Sequence, residues 1–129
     1  PGVAVDVIAA PALVEFVERG ETVGPAVESA LHTVLEPSLA AGADVVVLGC
    51  THYPFLRPAI GRVCGPGVAV IDSGDAIARR LRDVVGIGSS APSTAGGNLT
   101  VLTTGDAAAV APVAGRLLGG AVPVGRVDI

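Results

Sequence analysis

The chain has 129 residues, half of them apolar, with a net charge of −4 and two cysteines; this fits a globular core and leaves too little sulfur for a disulfide scaffold. Its eight basic residues are all arginine and form no run able to neutralise a row of phosphates, so nucleic-acid binding is not expected. No apolar run approaches the roughly 20 residues of a membrane span, and Cys50, His52 and Cys64 lack the paired spacing of a zinc site, so neither a membrane span nor a bound metal is expected.

In chain order, short β-branched runs alternate with amphipathic stretches, the pattern of an α/β fold with a mainly parallel sheet. Residues 3–8 read as a strand. Pro11 opens a short helix with Leu13, Phe16 and Val17 on one face, and Gly20 stands where a left-handed cap ends it. Glu18 falls near the end of that helix. A longer helix is expected over residues 25–39, carrying Val27, Leu31, Val34 and Leu35, with Pro37 kinking or closing it. The apolar run 44–49 reads as a strand buried on both faces, and its carboxyl end delivers Cys50. Pro54 suits the first turn of a helix with Leu56, Ile60 and Val63 on its face, and residues 68–71 form the next strand. Ser73 is placed to N-cap a helix carrying Ile77, Leu81, Val84 and Val85.

Residues 86–98 turn to Gly, Ser, Pro and Ala and read as a flexible surface loop, the one clear break in composition. Beyond it a strand is expected over 99–103, a helix over 106–118 despite Pro112, and a last strand or extended tail over 121–127. The N-terminal residues lack the basic start and apolar stretch of a secretory signal, so the expected location is the cytoplasm.

In parallel α/β sheets ligands bind beyond the carboxyl ends of the strands, which is where Cys50 falls. A thiol beside a helix N-terminus and within reach of an imidazole has two reasons to ionise, the helix dipole and proton exchange with the ring. Cys50 and His52 flank Thr51, whose hydroxyl and backbone N–H can hold a carboxylate. From the residues alone, a small cysteine filling core space after a buried strand stands beside this chemical reading.

The run Val46-Val47-Leu48-Gly49-Cys50-Thr51-His52-Tyr53-Pro54-Phe55-Leu56 resembles the second-cysteine signature of glutamate racemases, within the aspartate/glutamate racemase superfamily. Three further stretches resemble the family in the expected order: residues 10–20, from Ala10-Pro11 to Arg19-Gly20; then Val70-Ile71-Asp72-Ser73-Gly74-Asp75; then Thr104-Gly105-Asp106. Together they extend over essentially the whole chain.

The resemblance implies a parallel-sheet racemase-like fold and the interconversion of L- and D-glutamate for peptidoglycan synthesis. It implies two cysteines on opposite sides of the substrate α-carbon, with no pyridoxal phosphate or other cofactor and no metal. Cys50 is then one of the pair, Thr51 and His52 contact the substrate, His52 also assists Cys50, and Glu18 supports the site. An exposed helical glutamate of no catalytic consequence is the equal alternative for Glu18. Cys64 matches no family motif and reads as a helix-face core residue.

The family's N-terminal part, with the other cysteine, has no counterpart here, so the chain is expected to be an incomplete, C-terminal piece that is inactive alone. Residues 1–78 are then the second half of one lobe and residues 79–129 the return segment of the other. A homodimer is one expectation for the longer parent. Two other functions stay open: an aspartate or hydantoin racemase of the same superfamily, and a non-catalytic interaction module.

Overall fold

The structure, a computed structural model, describes residues 2–86 and 97–129. Its elements in chain order are α1 (Pro11–Arg19), α2 (Pro25–Ala40), β1 (Val45–Val47), a 3-10 turn (Tyr53–Leu56), α3 (Arg57–Cys64), β2 (Ala69–Ile71), α4 (Gly74–Val85), β3 (Val101–Thr103), α5 (Ala107–Leu118) and β4 (Val124–Arg126). The expected loop at 86–98 lies, but for its ends, outside the described residues.

The chain divides into two compact units, residues 1–72 and 73–129. Each contains one parallel strand pair joined by a crossover helix, because parallel strands cannot be linked by a tight turn. In the first, β1 pairs with β2 through Val45↔Ala69, Val46↔Val70 and Val47↔Ile71, and α3 makes the crossover. In the second, β3 pairs with β4 through Val101↔Val124, Leu102↔Gly125 and Thr103↔Arg126, and α5 makes it. The α/β class and the parallel pairing agree with the alternation of strand-like and helix-like segments in the sequence.

Among the described residues, the buried apolar ones are Ala10, Leu13, Val17, Val27, Leu31, Leu48, Leu56, Ala59 and Ile60, all in the first unit. They come from α1 and the residue before it, α2, the residue after β1, the 3-10 turn and α3, with α2 lying against both α1 and α3. At roughly 1.5–3 kcal/mol for each fully buried large apolar side chain, this cluster is the main stabilising mass under the turn that bears Cys50.

Several boundaries differ from those the sequence predicts. Residues 3–8 form no strand: a strand is defined by its ladder, no described segment pairs with this one, and Val3, Val5 and Val7 are exposed. The strand expected at 44–49 is shorter and bare on one face, where Val47 is 67% exposed, because among the described residues β1 pairs with β2 alone and nothing covers that side. The helix expected from Pro54 begins as a 3-10 turn, and α3 starts only at Arg57. Pro58 is the cause, since its ring would clash with the carbonyl four residues back in a continuous α-helix. Pro37 and Pro112 both sit inside helices that run through them, and α2 continues to Ala40. Ser73 occupies the N-cap position of α4 without a side-chain capping bond, whereas Asp106 caps α5 by accepting from the Ala108 N–H at 2.9 Å. Gly20 closes α1 in the left-handed conformation (φ 78°), as its position after the last apolar residue implies.

Candidate active site

Cys50 lies three residues beyond β1, after Leu48 has donated its N–H to the Ile71 carbonyl at 2.9 Å and extended the parallel ladder by one rung. The chain then turns sharply. Tyr53 N–H donates to the Cys50 carbonyl at 3.2 Å and Phe55 N–H to the His52 carbonyl at 3.1 Å, which begins the 3-10 turn. Leu56, fully buried at the end of that turn, pins it to the core. Arg57 holds the following helix in place by pairing with the Asp72 carboxylate and donating to the Val70 carbonyl at 2.5 Å.

This turn brings three of the expected site residues into one line. Cys50 Sγ lies 3.8 Å from His52 Nδ1, within the range of a hydrogen bond to sulfur, and His52 Nε2 lies 2.5 Å from Glu18 Oε1. Glu18 comes from α1, 34 residues earlier, and reaches across because Leu13 and Val17 seat α1 in the core. Thr51 is exposed between Cys50 and His52. Cys64, at the far end of α3, is half-buried and free, and burial alone pushes its thiol pKa up.

The electrostatics follow from these contacts. The Cys50 thiol is held below its ordinary pKa by the backbone N–H of His52, against a smaller desolvation effect, with the imidazole adding to the lowering. The Tyr53 N–H, at the start of the 3-10 turn, lowers it further. His52 is raised above its ordinary value, chiefly by the Glu18 carboxylate and then by Cys50. A doubly protonated ring offers a donor at each nitrogen, and its neighbours are a carboxylate at Nε2 and a sulfur at Nδ1, so the arrangement favours thiolate beside imidazolium.

Tyr53 was not among the expected site residues. Its hydroxyl donates to the Ala10 carbonyl at 3.0 Å, and burial raises its pKa, with the charge of Cys50 contributing. The signal in the sequence was slight: one phenol in a chain with two other aromatic residues. Among the described residues there is no group of three or more His, Cys, Asp or Glu arranged to hold a metal ion, and no helix long and apolar enough to cross a membrane.

A parallel-stranded α/β scaffold that presents a thiol, an imidazole and a carboxylate in series beyond a strand's carboxyl end defines a protein equipped for acid–base chemistry at sulfur. The sequence profile of the Asp/Glu/Hydantoin racemase family matches residues 2–81. The chain belongs to that family. It is 43% identical over 106 residues to the glutamate racemase of Herpetosiphon aurantiacus, an alignment covering 81% of this chain and 42% of the relative. Its fold matches a glutamate racemase isoform from Bacillus anthracis with a TM-score of 0.77 and 28% identity, over 95% of this chain and 46% of that one. It also matches the Escherichia coli glutamate racemase solved with L-glutamate and the activator UDP-MurNAc-ala, with a TM-score of 0.64 and 28% identity over 94% of this chain and 46% of that one. The chain thus spans just under half the length of the proteins it resembles.

Proposed function

We propose that this chain is the part of a glutamate racemase that carries one of two cysteine acid/base groups, and that the activity belongs to a longer protein. The observation that supports this most directly is the series Cys50–His52–Glu18, with a thiol of lowered pKa at the open end. Inverting a stereocentre requires a base on one face of the α-carbon and an acid on the other, and a thiol can serve as either. In one direction the Cys50 thiolate takes the α-proton and becomes a thiol, the electron pair passes into the substrate carboxylate system, and a second thiol on the opposite face returns a proton to carbon. In the other direction the two thiols exchange roles.

His52 keeps Cys50 ionised and oriented while Glu18 keeps His52 protonated. Thr51, exposed beside both, binds the substrate carboxylate through its hydroxyl and backbone N–H. The reaction as proposed uses no metal and no organic cofactor, and its D-glutamate supplies peptidoglycan synthesis in the cytoplasm. The E. coli structure's bound L-glutamate favours glutamate as substrate over aspartate or a hydantoin.

The test is racemisation by the full-length protein, followed as D-glutamate formed from L-glutamate, with aspartate and a hydantoin in parallel. Cys50→Ala is expected to abolish turnover, whereas Cys64→Ala costs stability only. Wild-type rates in Cys50→Ala would remove the assignment. The 129-residue chain alone is expected to give no appreciable turnover, and robust activity from it would show that the second base lies within it.

A further inference from the structure

We infer that Tyr53 is a positioning residue for this site: its hydroxyl, bound to the Ala10 carbonyl, fixes the start of α1 so that Glu18, near the helix end, stays against His52. The proposal deepens the racemase reading and rests on it only for its consequence for turnover.

The Ala10 carbonyl accepts two hydrogen bonds, from the Leu13 N–H at 3.1 Å and the Tyr53 hydroxyl at 3.0 Å, and Ala10 is buried. Glu18 lies eight residues further on, about 12 Å along the helix axis at 1.5 Å per residue. His52 and Tyr53 are neighbours in the chain, so two consecutive side chains hold α1 at two separated points, His52 at the last turn and Tyr53 at the start. The apolar packing of Leu13 and Val17 is non-directional and tolerates a small slide or rotation of the helix. A hydrogen bond does not, because it weakens steeply off its axis. With the Tyr53 tether removed, α1 can turn about the Glu18–His52 contact, and that contact loosens. Tyr53 thus acts on Cys50 at one remove, through helix, carboxylate and imidazole.

The experiment uses the chain in four forms: wild type, Tyr53→Phe, Glu18→Gln and the double variant. The His52 ring is titrated by NMR, and Cys50 alkylation by iodoacetamide at neutral pH is read by mass spectrometry of the Cys50 peptide. Tyr53→Phe is expected to move the His52 titration down toward that of an ordinary imidazole and to slow alkylation by roughly threefold to tenfold, the equivalent of one hydrogen bond's net strength. Glu18→Gln should do the same directly, and Tyr53→Phe should add nothing in its presence, because both act on one contact. An unchanged His52 titration in folded Tyr53→Phe, or additive effects in the double variant, would overturn the proposal.

Should Tyr53→Phe fail to fold, 3-fluorotyrosine can be incorporated throughout, since the chain has a single tyrosine. The fluorinated ring is a stronger donor of nearly the same shape, so His52 should then titrate higher than in wild type, and no movement sinks the inference. None of these readouts needs turnover, so they stand or fall separately from the Cys50→Ala racemisation assay.

Discussion

At the scale of single residues, the site depends on a histidine placed between two groups that both favour its charge. Cys50, Thr51 and His52 are legible in the sequence because they sit within three positions, and strand periodicity puts them at the carboxyl end of β1. The partnership of Glu18 with His52 is not legible in the same way. It spans 34 residues and depends on how α1 seats in the core, which no local pattern encodes.

The pairing has a pH signature. Because Glu18 raises the folded-state pKa of His52, the unfolded chain holds its proton less tightly, and the stabilisation is fully present below about pH 6.5, the ordinary imidazole value. It is lost as pH rises through the raised value. Both side chains are partly exposed, 28% for His52 and 51% for Glu18, so solvent keeps the effect modest. Thermal melts of wild type and Glu18→Gln should therefore differ more at pH 6 than at pH 9. A difference independent of pH would mean that Glu18 contributes packing and not charge.

At the scale of elements, alternation in the sequence located the helices and four of the strands, each strand shorter than expected, and misplaced one strand at residues 3–8. Helical spacing identified the buried faces of α1 and α2, and Leu13, Val17, Val27 and Leu31 are indeed buried. Strands need partners, which a one-dimensional pattern does not supply, and residues 3–8 lack one among the described residues. Proline acted unevenly: Pro58 divided a helix that Pro54 alone was expected to start, while α2 and α5 run through Pro37 and Pro112, each at the loss of one N–H donor.

Burial sets the energetic ranking of these elements. Leu31→Ala, at 1% exposure and between α1 and α3, should cost about 2–5 kcal/mol in urea unfolding. Leu81→Ala in α4, where Leu81 is 62% exposed, should cost less than about 1 kcal/mol. Equal losses at the two sites would contradict a core that, among the described residues, lies in the first unit.

At the scale of the whole molecule, the apolar content that the composition promised for a core is only partly used as one. The register Val45↔Ala69 and Val47↔Ile71 puts these four residues on one face of the β1–β2 ladder, where all are exposed. In the other unit, Ile77, Leu81 and Val84 recur at helical spacing on α4 and are each more than half exposed. Bare apolar faces of this kind are uncommon on a soluble monomer, and the open edges of a two-stranded sheet offer a template for association. The chain spans just under half the length of the relatives it matches, and in the proposed longer protein these faces are the ones that further chain would cover.

For the 129-residue chain, sedimentation velocity across the micromolar range should accordingly show concentration-dependent association, the expected fate of unburied apolar surface at such concentrations. Lysines at the two bare faces, Val47→Lys and Leu81→Lys, should suppress association while leaving the melting temperature within a few degrees, since neither side chain contributes to the buried cluster. If the doubly substituted chain associates as strongly as wild type, the exposed strand face and α4 are not the adhesive surfaces; if it fails to fold, those residues are buried in solution and the core extends beyond the nine buried apolar residues found among the described ones.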